Sequence, residues 1–208
     1  MSKPSNRPRK SPKQERSSEL VSSVYEACVR IFNSAGKISF STRSVAELAG
    51  ISVGSLYQYF PNKEALVGAL IERESKQRVD QLQEKYDAMK GSSFEAILRA
   101  LIGDILSSVH QDRKFLRGIM KSVFYVERLD SVIDTRESSA QFIAKILIEN
   151  QIADEKQAYA KAYTVVAAIG GVSETIIFRT DENIPYEQLS EEAITMILGY
   201  LTSKKFSA

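Results

Sequence analysis

Between Ser41 and Leu66 the chain reads STRSVAELAGISVGSLYQYFPNKEAL, and within it Tyr57, Tyr59, Gln58, Ser55 and Gly54 crowd one short segment behind a glycine. These side chains carry hydroxyls and an amide rather than a nucleophile with a base beside it. The chemistry open to them is recognition by hydrogen bonding. A tyrosine suits that task because its ring packs while its hydroxyl donates to an acceptor such as a phosphate oxygen. Bond-making chemistry finds little support. The chain has one histidine, His110, and one cysteine, Cys28, too few for a zinc site, and it has neither a glycine-rich phosphate loop nor a nucleophile elbow. No enzymatic role, metal or cofactor is expected. His110, near a predicted helix end, is expected to cap or face solvent.

The elements that must carry these residues follow from periodicity. Leu20, Val24, Ala27, Cys28, Ile31 and Ala35 recur every three or four residues from Ser17 or Ser18 to Gly36, which predicts a first helix. Ser41 caps a second, short helix ending near Ala49. Gly50 breaks the chain, and a third helix occupies residues 53–59 ahead of Pro61. Ala46, Gly50 and Leu56 then fall where a helix-turn-helix needs a small residue, a positive φ and an inward anchor. Val45, Leu48, Ile51 and Leu56 supply its buried side. Thr42, Arg43, Val53, Gly54, Ser55, Tyr57, Gln58 and Tyr59 are left for solvent or ligand. A helix of this kind lies in the major groove of duplex DNA with its first residues at base edges.

Charge points the same way. Residues 1–63 hold ten Lys and Arg against four acids, a net +6, although the whole chain is only +2. The remainder therefore carries −4. Such asymmetry suggests a polyanion partner for the first part alone. The opening residues, MSKPSNRPRKSPKQER, read as a basic flexible arm over positions 1–16 without the apolar core of a secretory leader. Apolar runs elsewhere are interrupted by charge well short of about 18 residues, so no membrane span is expected and the cytoplasm is the expected address. One cysteine excludes an internal disulfide and agrees with a reducing compartment.

Helix one together with FSTRSVAELAGISVGSLYQYFPNKEALV closely resembles the DNA-binding domain of the TetR family of bacterial transcriptional regulators. The likeness covers about residues 17–70. It rests on the combination of T-x-x-x-A-x-x-A-G-[IV]-S, G-[ST]-L-Y-x-Y-F and x-N-K-E-A-L. By this resemblance Thr42 and Arg43 open the first motif helix beside the backbone. Val53, Gly54, Ser55 and Gln58 face bases, Tyr57 and Tyr59 hold phosphates, and Lys63 reaches a phosphate from the start of helix four. Val53 departs from the polar or basic residue common there, and an apolar side chain would suit a thymine methyl. The basic arm would enter the neighbouring minor groove.

The rest of the chain also reads as helix. Asn62 caps a long fourth helix ending near Lys90, with Gly91 as its stop. Ser92 and Glu95 form a capping-box pattern for the next. Further helices are expected over residues 112–127, 131–150, 154–179 and 190–203. The class is therefore all-α with about nine helices: a helix-turn-helix domain over 17–65, then a larger ligand-binding and dimerisation domain over 66–208. Glycine in a helix interior costs roughly 1 kcal/mol against alanine, so Gly170 and Gly171 suggest a close helix approach. With the last helix they suggest a two-fold four-helix interface between two copies, through Tyr163, Val166, Gly170, Ser173, Ile177, Ile194, Ile197 and Leu201. The resemblance also implies a ligand cavity among the middle helices, for which Phe94, Leu101, Ile105, Phe115, Ile119, Met120, Phe124 and Phe142 are candidates. The expected function is a homodimeric transcriptional regulator, a repressor released from a palindromic double-stranded operator by a small, largely apolar effector. The alternative is a helical small-molecule-binding protein whose head does not bind DNA.

Overall fold

The computed structural model describes residues 15–34, 39–123, 130–179 and 183–203. Most of the basic arm, Gly36 and the pocket candidate Phe124 lie outside them. The described residues form helices α1 Glu15–Asn33, α2 Thr42–Leu48, α3 Val53–Tyr59, α4 Lys63–Ala88, α5 Phe94–Gln111, α6 Arg113–Val123, α7 Asp130–Glu149, α8 Glu155–Phe178 and α9 Tyr186–Thr202. Nine helices and no strand occur among them, and the all-α expectation holds. The chain divides into two compact units, residues 1–74 with 114–131 and residues 75–113 with 132–208.

The first unit is built on one apolar core. Val24, Ala27, Cys28 and Ile31 from α1 meet Val45 and Ala46 from α2, Leu56 from α3, Phe60, and Leu66 and Leu70 from α4. Two residues expected to line a ligand cavity, Phe115 and Ile119, belong to this core instead. The Phe115 ring meets the Phe32 ring edge-on at 6.0 Å. The reason lies in α6, whose apolar side is laid on α1 closely enough that a Cβ added at Gly118 would sit 2.7 Å from Phe32 Cδ1. Only glycine allows that approach without a shift of the ring. The expected boundary at residue 65 therefore changes: residues 66–74 and α6 go with the helix-turn-helix unit.

In the second unit α5, α8 and α9 pack together. Tyr86, Ile97, Leu101 and Ile146 form a separate buried cluster, with Phe94 and Phe142 against it. Three more cavity candidates, Phe94, Leu101 and Phe142, are thus side chains of a filled core. Helix α8 is long and apolar enough by composition to cross a membrane. Its Ala158, Ala162, Val165, Ile169, Ile176 and Ile177 are buried within the chain, and 28 % of its apolar window is buried in all. Four expected interface residues are corrected here. Ile177, Ile194, Ile197 and Leu201 are each at most 5 % exposed, because α8 and α9 turn these branched side chains inward within one chain. His110 neither caps nor stands free, for its ring stacks on Tyr186 at 4.2 Å. Helix α9 begins at Tyr186, one turn before the expected Ser190, as the Leu189 amide donates to the Pro185 carbonyl at 3.1 Å. The cap of α5 is Ser93 rather than Ser92, its hydroxyl accepting from the Ala96 amide at 3.2 Å.

Candidate nucleic-acid interface

Each motif helix is started by a serine. The Ser41 hydroxyl accepts from the Ser44 amide at 3.1 Å, and the Ser44 hydroxyl accepts from the Ser41 amide at 3.0 Å. This reciprocal box satisfies two amides that a helix start leaves without partners. Ser52 does the same for α3, accepting from the Ser55 amide at 3.0 Å. Between the helices Gly50 has φ +69°, a backbone state that favours glycine. Such caps matter because a seven-residue helix is not stable by itself. What anchors α3 is Leu56, fully buried in the first unit's core.

Burying Leu56 fixes which residues α3 leaves outside. Val53 is 37 % and Tyr57 41 % exposed, and Gly54 and Gln58 are exposed beside them. Ser55 is half-buried, its hydroxyl 2.8 Å from that of Ser52. The Tyr57 hydroxyl lies 3.2 Å from the Thr42 hydroxyl, which ties the exposed sides of α2 and α3 together. Arg43 is exposed one residue further along α2. Two members of the expected set are placed differently from the rest. Tyr59 is half-buried, its ring packed on the core, and Lys63 holds its ammonium 5.0 Å from the Phe40 ring centroid. Phe40 was not singled out from the sequence, although an aromatic just before the Ser41 cap is its visible trace.

The core behind this face is chemically quiet. Burial pushes the Cys28 thiol up to about 12, so it stays protonated and unreactive. Edge-on packing of Tyr25 against Phe60 at 5.9 Å and the Arg73 guanidinium 5.0 Å over the Tyr25 ring close its other side. The outcome is a rigid platform carrying hydroxyls, an amide and one exposed aliphatic side chain. That is a helix-turn-helix protein, with an all-helical second unit following the head.

Comparison with known proteins agrees. Residues 24–70 match the family model of the bacterial regulatory proteins of the tetR family. The chain is 25 % identical over 171 residues to the HTH-type transcriptional regulator TtgR of Pseudomonas putida, covering 76 % of this chain and 80 % of that protein. It is similar in fold to a TetR-family regulator from Mesorhizobium loti, with TM-score 0.69, 17 % identity and coverage of 90 % of this chain and 98 % of that one. Thermus thermophilus FadR, a TetR-family repressor solved in complex with lauroyl-CoA, also has TM-score 0.69, at 15 % identity, with 90 % and 98 % of the two chains covered. Over residues 24–70 the chain is thus similar to the tetR family of bacterial regulatory proteins, and over nine-tenths of its length it shares the fold of the solved TetR-family structures.

Proposed function

We propose that the chain is a homodimeric repressor that reads a palindromic operator with α3 and is released by a small-molecule effector bound in the second unit. The observation that carries the DNA reading is the division of α3 itself. Leu56 is wholly buried while Val53, Gly54, Tyr57 and Gln58 stand in solvent. In the major groove this face would set Val53, Gly54, Ser55 and Gln58 at base edges. Tyr57 and Thr42, already joined through their hydroxyls, would share a phosphate. Arg43 and Lys63 would supply charge to the same backbone, and Tyr59 would reach it only by its hydroxyl edge.

The dimer reading is supported by the outer side of α8 and α9. Tyr163, Met196 and Tyr200 are 40 %, 54 % and 43 % exposed. Cβ atoms added at Gly170, Gly171 or Gly199 would meet nothing within 4 Å. No helix of the same chain explains these glycines, whereas the backbone of a second copy would. Tyr163, Val166, Gly170 and Ser173 thus remain in the proposed interface, with Met196, Gly199 and Tyr200 in place of the four buried residues. Two-fold symmetry then sets two α3 helices on half-sites about one helical turn, or a multiple, apart.

Release follows from linkage. An effector that prefers a state in which the paired α3 helices are wrongly spaced must weaken DNA binding by the same coupling free energy. Helix α4, which carries Lys63 at its start, is the covalent route between units. Mobility-shift titrations of a selected operator at several salt concentrations test the reading. The expected result is a specific complex whose log–log salt slope falls by roughly one in Lys63→Ala. Absence of any specific complex would favour a helical ligand-binding protein that does not use DNA.

A further inference from the structure

Helices α4 and α5 enclose a cleft of about 140 Å³ lined by Arg78, Gln81, Leu82, Asp104, Ile105 and Ser108. Of the described residues expected to line a cavity, only Ile105 is there, and the lining is more polar than that expectation. The α4 members fall at i, i+3 and i+4, one face of the helix, and Lys85 at i+7 continues it. Lys85 forms an ion pair with Asp104, so the carboxylate at the cleft is already neutralised. Arg78 is not. Its Nη1 is shielded from solvent and has no hydrogen-bond partner. A guanidinium nitrogen in that position is costly, since it has lost water without gaining an acceptor. An acceptor supplied from outside the chain would remove the cost.

We infer that this cleft is the seat of the anionic end, carboxylate or phosphate, of an amphipathic effector. Arg78 supplies a planar fork matched to either group. Gln81 and Ser108 complete the hydrogen bonds, and Leu82 and Ile105 take the first methylenes. The volume is below the roughly 300–1,000 Å³ of a drug-sized site, so it holds a head group with a short stem rather than a whole large ligand. This inference rests on the reading of the second unit as an effector-binding one.

Calorimetric titration of the full-length protein with hexanoate, hexyl phosphate and hexanol is the test. Both anions are expected to bind, hexanol at least about tenfold more weakly, and the tighter anion tells carboxylate from phosphate. Arg78→Met should erase that preference for anions while raising the melting temperature of the ligand-free protein, because a shielded nitrogen without an acceptor is removed. Arg78→Lys keeps the charge without the fork and should retain part of the affinity. Equal binding of alcohol and anions, binding of none of the three, or an Arg78→Met protein that melts lower with unchanged anion affinity would each overturn the inference. Mobility shifts run in parallel separate the two readings. Anion binding without DNA binding sinks the repressor alone, and DNA binding without anion binding sinks this site alone.

Discussion

Two faces of the molecule leave aromatic side chains in water, and they are built differently. On α3 the exposed Tyr57 stands beside hydroxyls already engaged within the chain: Thr42 with Tyr57, and Ser52 with Ser55. On α8 and α9 the exposed Tyr163, Met196 and Tyr200 stand beside glycines with empty space above them. A face with its polar groups pre-set on a short, capped helix suits a partner that brings charge and a fixed shape, as a nucleic-acid groove does. A broad face of aromatic, thioether and Cβ-less positions suits another helix surface, where backbones approach and apolar area leaves water. Aromatic exposure alone does not tell these partners apart. What surrounds the ring does.

The contrast can be broken most severely from the inside of the head. Leu56→Ala is expected to cost about 2–5 kcal/mol, as deletions of fully buried leucines do. Denaturant unfolding would measure it, with loss of the specific DNA complex and retention of the dimer.

An alkaline titration reads the same core from another side. Cys28 has its thiol raised from 9.0 to about 12 by burial, so the folded state holds that proton longer than the unfolded one. The associated stability is complete below pH 9 and is lost as pH climbs to about 12, about 4 kcal/mol at the limit. Denaturant midpoints followed from pH 8 to 11 should fall more steeply in the parent than in Cys28→Ala, and parallel slopes would refute the assignment.

The other face is addressed by the double substitution Tyr163→Glu and Met196→Glu. Sedimentation equilibrium should show the dimer dissociation constant rising at least tenfold, about 1.4 kcal/mol. The monomer's melting temperature should hold, because both side chains are exposed. The smallest effect is expected from Ser52→Ala, about 1 kcal/mol through the lost α3 cap. DNA affinity should fall with it, and dimerisation should not change.

How far these faces were legible depends on whether one side of a helix announces itself. In α2 and α3 it does: Val45, Ala46 and Leu56 fall on one side of short, mostly polar helices, so the opposite side is identifiable, and Gly50 adopts the positive φ its place requires. In α8 and α9 it does not. Apolar residues go nearly all the way round, and periodicity cannot choose between Ile194 and Met196 for the inside. The choice is made by α5, whose packing pulls Ile194, Ile197 and Leu201 inward. Phe115 and Ile119 were misplaced for a related reason. Their partner Phe32 is more than eighty residues away, and nothing local names it. Arg78 gives no sign in the sequence because it sits in the highly charged run ERESKQRVDQLQEK, where one more charge reads as solvated.

The seat of α6 on Phe32 means that the helix-turn-helix unit is assembled from two separate lengths of chain. A fragment cut after Glu74 would leave the Phe32 side of its core bare to water and prone to self-association. A recombinant head that splices residue 74 to residue 114 through a short linker would restore that cover, and is the smallest piece expected to remain folded and in solution.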